Sequence, residues 1–251
     1  MTTDATYIMD GGAAVARMLH RMGRWDEALA VLPTDAVAER AELLVDSFWW
    51  RLHGSEEAEE AVGGLMQSEP VLAGYLDAQI RYTRLLFDLG PRPDDLQQAR
   101  QGFAAARDDA RLAGWAAFWL GVLADNIEED PDLAGAAYQR AREHAREHGD
   151  ALLESYAVRH LGAHLLDHDH EQGTALLRRS YHLRAALGAR PQTAAAALTL
   201  AAELPPGAEA DQLREAAELT GVSSDWCISC CVSYRRPTER RPSKAMSKAW
   251  R

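Results

Sequence analysis

The sequence predicts an all-α protein, and three observations carry that prediction. The 251 residues include 46 Ala and 31 Leu but only 14 Val and Ile together, and Ala and Leu favour helices whereas β-branched residues favour strands. Apolar residues recur at intervals of three and four, which is the helical period. Gly and Pro divide the chain into segments of roughly 8 to 20 residues, the usual length of globular helices. We therefore expect about twelve helices, joined by short loops that make neighbouring helices antiparallel.

The N-terminal half divides into three helical pairs. One helix precedes Gly23 and a second ends at Pro33, and two further hairpins are expected in 35–67 and 71–109. Side chains that can accept hydrogen bonds from the first turn of a helix mark helix starts. Three such sites occur, at Thr34-Asp35, Asp94-Asp95 and Asp130-Pro131. The other breaks fall, in chain order, at Gly54, Pro70, 90–93, Pro131, Gly149, Gly188 with Pro191, and 205–207.

The segment 112–124 predicts a helix that is buried on most sides. A stripe of large apolar side chains at helical spacing is widened by a neighbouring apolar stripe, so little polar surface remains. We expect Trp119, in the middle of the first stripe, to belong to the core. The two stripes consist of Leu112, Trp115, Trp119 and Leu123, and of Ala116, Leu120 and Ala124.

The net charge of −11 is the sum of two unlike parts. Residues 1–222 hold 20 Arg and 36 acidic residues, a charge of −16, with neither Lys nor Cys. Residues 223–251 hold seven basic and two acidic residues, a charge of +5, and all three Cys. We expect 1–222 to form one helical domain and 223–251 to be a separate basic tail. An acidic domain is unsuited to the phosphates of nucleic acid, and a Cys-free domain has no disulfide framework.

The sequence predicts neither a membrane span nor an export signal. The longest uncharged run inside a predicted helix, 112–124, has 13 residues, fewer than the roughly 20 that a bilayer requires. The first twelve residues contain two Asp and no basic residue, unlike a signal peptide. We therefore expect a cytoplasmic protein that does not bind membranes.

Two of the helical hairpins repeat each other. The string WAAFWLG at 115–121 aligns with YAVRHLG at 156–162, which places Gly121 over Gly162. Thirteen residues after each Gly stands an alanine, Ala134 or Ala175. The common offset of 41 residues is a helical-hairpin period. Small residues at these positions would let the two helices of a pair approach closely.

The string MGRWDEALAVLP at 22–33 resembles the tetratricopeptide repeat. In that family a Gly, an aromatic residue, an acidic pair and Ala-Leu open the second helix, and a Pro closes the unit. The matching residues are Gly23, Trp25, Asp26-Glu27, Ala28-Leu29 and Pro33, with Gly121, Gly162, Ala134, Ala175, Tyr138 and Ala141 in later units. The 41-residue spacing exceeds the family's period of about 34, and the hairpins in 35–67 and 71–109 match poorly. The resemblance implies a right-handed α-solenoid of antiparallel helix pairs with a binding role.

The resemblance also implies a concave groove lined by the first helix of each pair. An aromatic strip beside an arginine is a plausible cradle for a peptide, because these residue types dominate interface energetics. The alternative for Trp115 and Phe118 is a place in the core. The groove residues that the resemblance implies are Trp115, Phe118, Val122, Asp125 and Asn126 from one helix, and Tyr156, Arg159, Ala163, Leu166 and Asp167 from the next.

Seven of the nine His lie between His144 and His182. His160, His164 and His168 are spaced by four and would share one helical stripe, so they are candidate ligands for a metal such as zinc. The favoured interpretation is that these His occupy solvated helix ends, with no metal or other cofactor. In the same region Arg140, Arg142 and Arg146 alternate with acidic residues, which is typical of a solvated charged face.

The tail changes character after residue 222. The string DWCISCC at 225–231 contains a WCxxC pattern, but it lacks the strand and helix that surround a thioredoxin-like redox motif. The basic segment that follows predicts disorder and could contact an acidic surface or nucleic acid. A change of reading frame near Val222 would also explain the abrupt shift in composition.

Taken together, these patterns predict a scaffold or adaptor that binds a protein or peptide on its concave face. The alternative is a regulatory sensor that binds a peptide or small ligand in the same groove. A metalloprotein or enzyme built on the histidines of 144–182 is the third possibility. No P-loop, GxGxxG or GxSxG motif occurs in residues 1–222, so we expect no catalytic residues. The sequence does not predict the oligomeric state.

Overall fold

The computed structural model describes residues 4–220, with side chains from Gly11 onward. Within that range the chain forms twelve α-helices and no strand, which confirms the all-α prediction and the expected number of helices. The tail 223–251, with its DWCISCC string and its predicted disorder, lies outside the described residues. The helices are α1 Asp4–Arg21, α2 Trp25–Val31, α3 Val37–Arg51, α4 Ser55–Leu65, α5 Pro70–Phe87, α6 Asp95–Ala105, α7 Ala113–Leu123, α8 Pro131–His148, α9 Ala151–Leu165, α10 His170–Ala186, α11 Arg190–Glu203 and α12 Ala208–Leu219.

The helix ends follow local signals in the sequence. Asp130 caps α8 as predicted, because its side chain accepts a hydrogen bond from Leu133 N at 2.9 Å. Gly149 ends the same helix with φ at 70°, a left-handed conformation that glycine adopts without strain. The other two predicted starts, at Thr34-Asp35 and Asp94-Asp95, are not capped in this way. Neither α3 nor α6 has a capping hydrogen bond from a side chain.

Helices that follow one another in the chain pack together in pairs. The pairs are α1 with α2, α3 with α4, α5 with α6, α7 with α8, α9 with α10 and α11 with α12. The second helix of each pair also contacts the first helix of the next pair. From α3 to α9 the first helices touch one another as well, because α3 contacts α5, α5 contacts α7 and α7 contacts α9. The odd-numbered helices from α3 to α9 therefore form a row.

The buried apolar side chains form two clusters. The larger cluster draws on α3 to α9 and contains Phe48, Tyr82, Phe103 and Tyr138. The second cluster includes residues of α1 to α3, among them Trp25, residues of α10 to α12, and Leu166 just after α9. Each helix thus contributes to a core, as an all-helical domain of this size requires. No helix within 4–220 is long and apolar enough to cross a membrane.

Glycines mark the closest approaches between paired helices, but the 41-residue repeat is inexact. A Cβ atom on Gly121 would lie 2.7 Å from the Tyr138 ring, and one on Gly162 would lie 2.9 Å from the carbonyl oxygen of Gly173. Ala134 is fully buried, whereas Ala175 is exposed. On the first helices, Gly121 and Gly162 therefore allow the close packing that the repeat predicts. On α10 the residue at the close approach is Gly173 rather than Ala175.

Substituting Gly102 by alanine is expected to lower the free energy of unfolding by about 1–3 kcal/mol. The added Cβ would overlap the backbone carbonyl of Gly74 and come within 2.8 Å of Ala78 Cβ, which forces α5 and α6 apart. The control Gly64→Ala places a methyl group where no atom lies within 4 Å, and should gain up to about 1 kcal/mol from helix propensity. Urea denaturation measures both changes. A loss of equal size in both variants would contradict the close packing of α5 on α6.

Candidate functional site

The structure divides the ten predicted groove residues by their exposure. Trp115, Asn126 and Tyr156 are half-buried, and Asp167 is exposed. The remaining six are buried, namely Phe118, Val122, Asp125, Arg159, Ala163 and Leu166. The first four residues can thus contact a partner directly, whereas the buried six can act only by supporting them.

Three aromatic rings from α7 and α9 form one contact group. The Tyr156 ring lies 5.4 Å from Trp115 and 5.3 Å from Phe118, in edge-to-face geometry. Trp115 Nε1 donates a hydrogen bond to Asp150 Oδ2 at 2.9 Å, and the other carboxylate oxygen of Asp150 caps α9. The cap of α9 therefore fixes the orientation of the Trp115 indole on α7.

The aromatic contacts continue onto α3, α5 and α6. Trp119 lies 5.7 Å from Trp49, 5.6 Å from Tyr82 and 5.7 Å from Phe103. Trp119, which we expected in the core, is half-buried and packs against the larger core cluster. Sequence reasoning did not identify Trp49, because a contact between residues 49 and 119 depends on how the helices pack rather than on local spacing.

We call the half-buried rings on the odd-numbered helices the aromatic face. Every member lies on α3, α5, α7 or α9, the helices that form the continuous row. Each ring contacts at least one other aromatic ring, and this packing restricts its motion. The members of the aromatic face are Trp49, Phe87, Trp115, Trp119 and Tyr156.

A buried polar group centred on Asp125, which we call the Asp125 cluster, contacts the buried Phe118 ring through His160. Its carboxylate accepts a hydrogen bond from the Tyr138 hydroxyl at 3.0 Å. His164 Nε2 lies 3.1 Å and His160 Nδ1 3.9 Å from the same oxygen, Oδ2. The His160 ring stacks on Tyr138 with centroids 4.7 Å apart. This cluster ties together α8, α9 and the turn that follows α7.

Asp125 owes its position to a π-helical turn, Ala124–Glu128, at the end of α7. Such a turn adds a residue to the helical repeat and redirects the side chains that follow, and it is frequent at functional sites. The next residue of the turn, Asn126, donates a hydrogen bond to the Tyr82 hydroxyl at 2.8 Å. The turn therefore directs one side chain toward α9 and the next toward α5.

The electrostatics of the Asp125 cluster favour a charged carboxylate and a neutral His160. Burial opposes ionisation of Asp125, but the two imidazoles outweigh it and hold the pKa of Asp125 well below its usual range. Burial lowers the pKa of His160 to about 4, and the neighbouring Arg159 adds to this effect while Asp125 opposes it. Near neutral pH a charged Asp125 carboxylate is thus buried beside a neutral His160.

The three histidines that are candidate metal ligands do not come together. His160 and His164 both face Asp125, but His168 lies exposed in the turn after α9. Among the described residues no group of three or more His, Cys, Asp or Glu could hold a metal ion. The Asp125 cluster is suited instead to orienting imidazoles and to coupling helix packing to protonation.

Comparison with protein-family models, with curated proteins and with solved structures finds no match to this chain.

Proposed function

We propose that this chain is a protein- or peptide-binding module that uses the aromatic face. In this proposal the helix pairs form a right-handed α-solenoid like that of the tetratricopeptide repeat, and the odd-numbered helices line its concave side. The succession of six helix pairs and the contacts between first helices from α3 to α9 support such an arrangement. The protein acts in the cytoplasm as a scaffold or adaptor.

The observation that carries the proposal is that ring contacts connect the members of the aromatic face. Trp49 on α3 contacts Trp119 on α7 directly, and the buried Phe118 ring connects Trp119 to Tyr156 on α9. Packed aromatic side chains that remain partly accessible are typical anchors of protein interfaces. A row of them across four helices fits an extended segment of a partner.

The charge of the domain narrows the class of partner. Residues 1–222 carry −16, so the aromatic face lies in an acidic domain that repels nucleic acid. A protein or peptide segment with apolar side chains fits the accessible rings best. The half-buried Asn126 and the exposed Asp167 supply polar contacts at the C-terminal ends of α7 and α9.

Selection of short displayed random peptides against the full chain tests the proposal. Peptides enriched on the wild type should bind at least about tenfold more weakly to Trp115→Ala/Tyr156→Ala, because the variant loses two anchors. The control Leu133→Ala removes a 48% exposed apolar side chain on α8 and should bind as the wild type does. Circular dichroism verifies that all three proteins are equally helical. Peptides that bind the double variant and the wild type with equal affinity would refute this use of the aromatic face.

A ligand-responsive regulatory sensor is the second candidate, and the Asp125 cluster favours it. Phe118 contacts both Tyr156 of the aromatic face and His160 of the cluster, with ring centroids 5.3 Å and 5.4 Å apart. A ligand that moves Tyr156 would therefore also alter the packing around a buried charge. Small-angle scattering distinguishes the two candidates, since a sensor changes shape when an enriched peptide saturates it and a simple scaffold does not.

A further inference from the structure

A second charged group lies between α8, α9 and α10. Glu154 stands in the first turn of α9 and is only 7% exposed. Its Oε1 atom accepts hydrogen bonds from Arg146 Nε at 3.0 Å and from Arg179 Nε and Nη2 at 3.1 Å and 2.9 Å. One carboxylate oxygen thus serves two guanidinium groups.

A third arginine, Arg142, stands one helical turn before Arg146 on α8. Its Nε atom is buried and has no hydrogen-bond partner in the described part of the chain. Burial lowers the pKa of Arg142, Arg146 and Arg179 lower it further, and Glu154 opposes them. The alternating charges of this segment suggest a solvated face, but Arg142 is instead held partly buried beside two like charges.

Stabilisation of α8 and pairing with Glu154 explain the positions of Arg146 and Arg179 but not that of Arg142. Arg146 lies in the last turn of α8, where the helix dipole favours a cation, and Arg179 is paired with Glu154. Neither reason applies to Arg142, which lies farther from the helix end and shares a single acid with two other arginines. Three guanidinium groups and one carboxylate leave a local charge of +2 in a domain of −16.

We propose that Arg142, Arg146 and Arg179 bind a phosphoryl group, carried either by a free phosphate compound or by a phosphorylated side chain. A phosphate monoester has a charge of about −1.5 to −2 at neutral pH, which matches the local excess of +2. Guanidinium groups bind phosphate oxygens in pairs of parallel hydrogen bonds. Glu154 holds Arg146 and Arg179 in place, while Arg142, the terminal nitrogens of Arg146 and Nη1 of Arg179 supply the donors. This site does not depend on the aromatic face or on the function proposed for it.

Isothermal titration calorimetry with the full chain tests the proposal, using inorganic phosphate, O-phosphoserine blocked at both ends, and acetate at matched ionic strength. We expect binding of at least one phosphate probe and much weaker binding of acetate. Arg142→Gln should weaken phosphate binding at least about tenfold, whereas Arg140→Gln, an exposed arginine on the same helix, should not. Tighter binding of inorganic phosphate indicates a free phosphate compound, and tighter binding of blocked phosphoserine indicates a phosphorylated side chain.

The melting temperature without phosphate separates a binding role from a structural one. Arg142→Gln should leave it unchanged or raise it, because the substitution relieves repulsion by Arg146 and Arg179. Phosphate should raise the melting temperature of the wild type but not that of Arg142→Gln. A lower melting temperature of Arg142→Gln without phosphate, acetate binding as tight as phosphate binding, equal effects of Arg142→Gln and Arg140→Gln, or no heat of binding with either phosphate probe would overturn the proposal.

Discussion

Replacing Asp95 by alanine is expected to lower the free energy of unfolding by about 3–5 kcal/mol. Asp95 is fully buried, and its carboxylate accepts hydrogen bonds from Arg84 Nη2 at 2.8 Å, from Arg84 Nε at 3.1 Å and from Arg81 Nη1 at 3.1 Å. Burial raises the pKa of Asp95, but the two arginines and the backbone N–H of Arg92 outweigh it, so the pKa lies below its usual value. The variant leaves Arg84, itself 3% exposed, with Glu59 as its remaining acidic partner.

The neighbouring residue supplies a matched control. Asp94 has a side chain that is 55% exposed, makes no capping hydrogen bond and lies 3.6 Å from Arg81 Nη1. Asp94→Ala should therefore change the free energy of unfolding by no more than about 0.5 kcal/mol. Urea denaturation of both variants at neutral pH gives the comparison. Similar losses in the two variants would mean that the buried ion pair contributes no more than an exposed one.

This pair of residues marks a limit of sequence-based prediction. The sequence identifies Asp94-Asp95 as a helix start, and α6 does begin at Asp95. It does not indicate that Asp95 faces Arg84 on α5, because that contact depends on how two helices pack. Local signals such as the Asp130 cap and the glycine at the end of α8 are predictable, since their hydrogen bonds span only a few residues.

In the candidate site, too, local features could be predicted from the sequence, whereas contacts between distant residues could not. Helical spacing places His160 and His164 on one stripe, as the structure confirms, but their common partner Asp125 lies 39 residues before His164. The π-helical turn that directs Asp125 toward them has no recognised sequence signal. Trp49 belongs to the aromatic face for a comparable reason, since its contact with Trp119 crosses from α3 to α7.

Lowering the pH from neutrality is expected to destabilise the protein through His160. The pKa of this buried side chain is lowered from 6.5 to about 4 in the folded state, chiefly by burial. Between these values the unfolded chain binds a proton that the folded chain excludes, so stability falls as the pH falls. The full contribution is roughly 3 kcal/mol, reached as the pH approaches 4. Below that range the stabilisation by Asp125 begins to be lost as well. Its pKa is lower in the folded chain than in the unfolded chain, so the unfolded chain takes up the proton first.

One histidine acts in the opposite direction. Burial lowers the pKa of His20, but its contact with Asp46 at 2.8 Å outweighs burial and raises the pKa above 6.5. This contribution is present at low pH and is lost as the pH rises through the raised pKa. The His20 side chain is 35% exposed, so solvent screening keeps its effect smaller than that of His160.

A variant of His160 isolates its share of the pH dependence. His160→Phe keeps a ring against Tyr138 but has no titrating group, so the slope of unfolding free energy between pH 6.5 and 4 should become much shallower. His168→Asn, which alters an exposed histidine on the turn after α9, should retain the wild-type slope. Urea denaturation at a series of pH values gives the three curves. If His160→Phe and the wild type have the same slope, protonation of His160 is not what destabilises the fold, and the coupling between the Asp125 cluster and helix packing must be rejected.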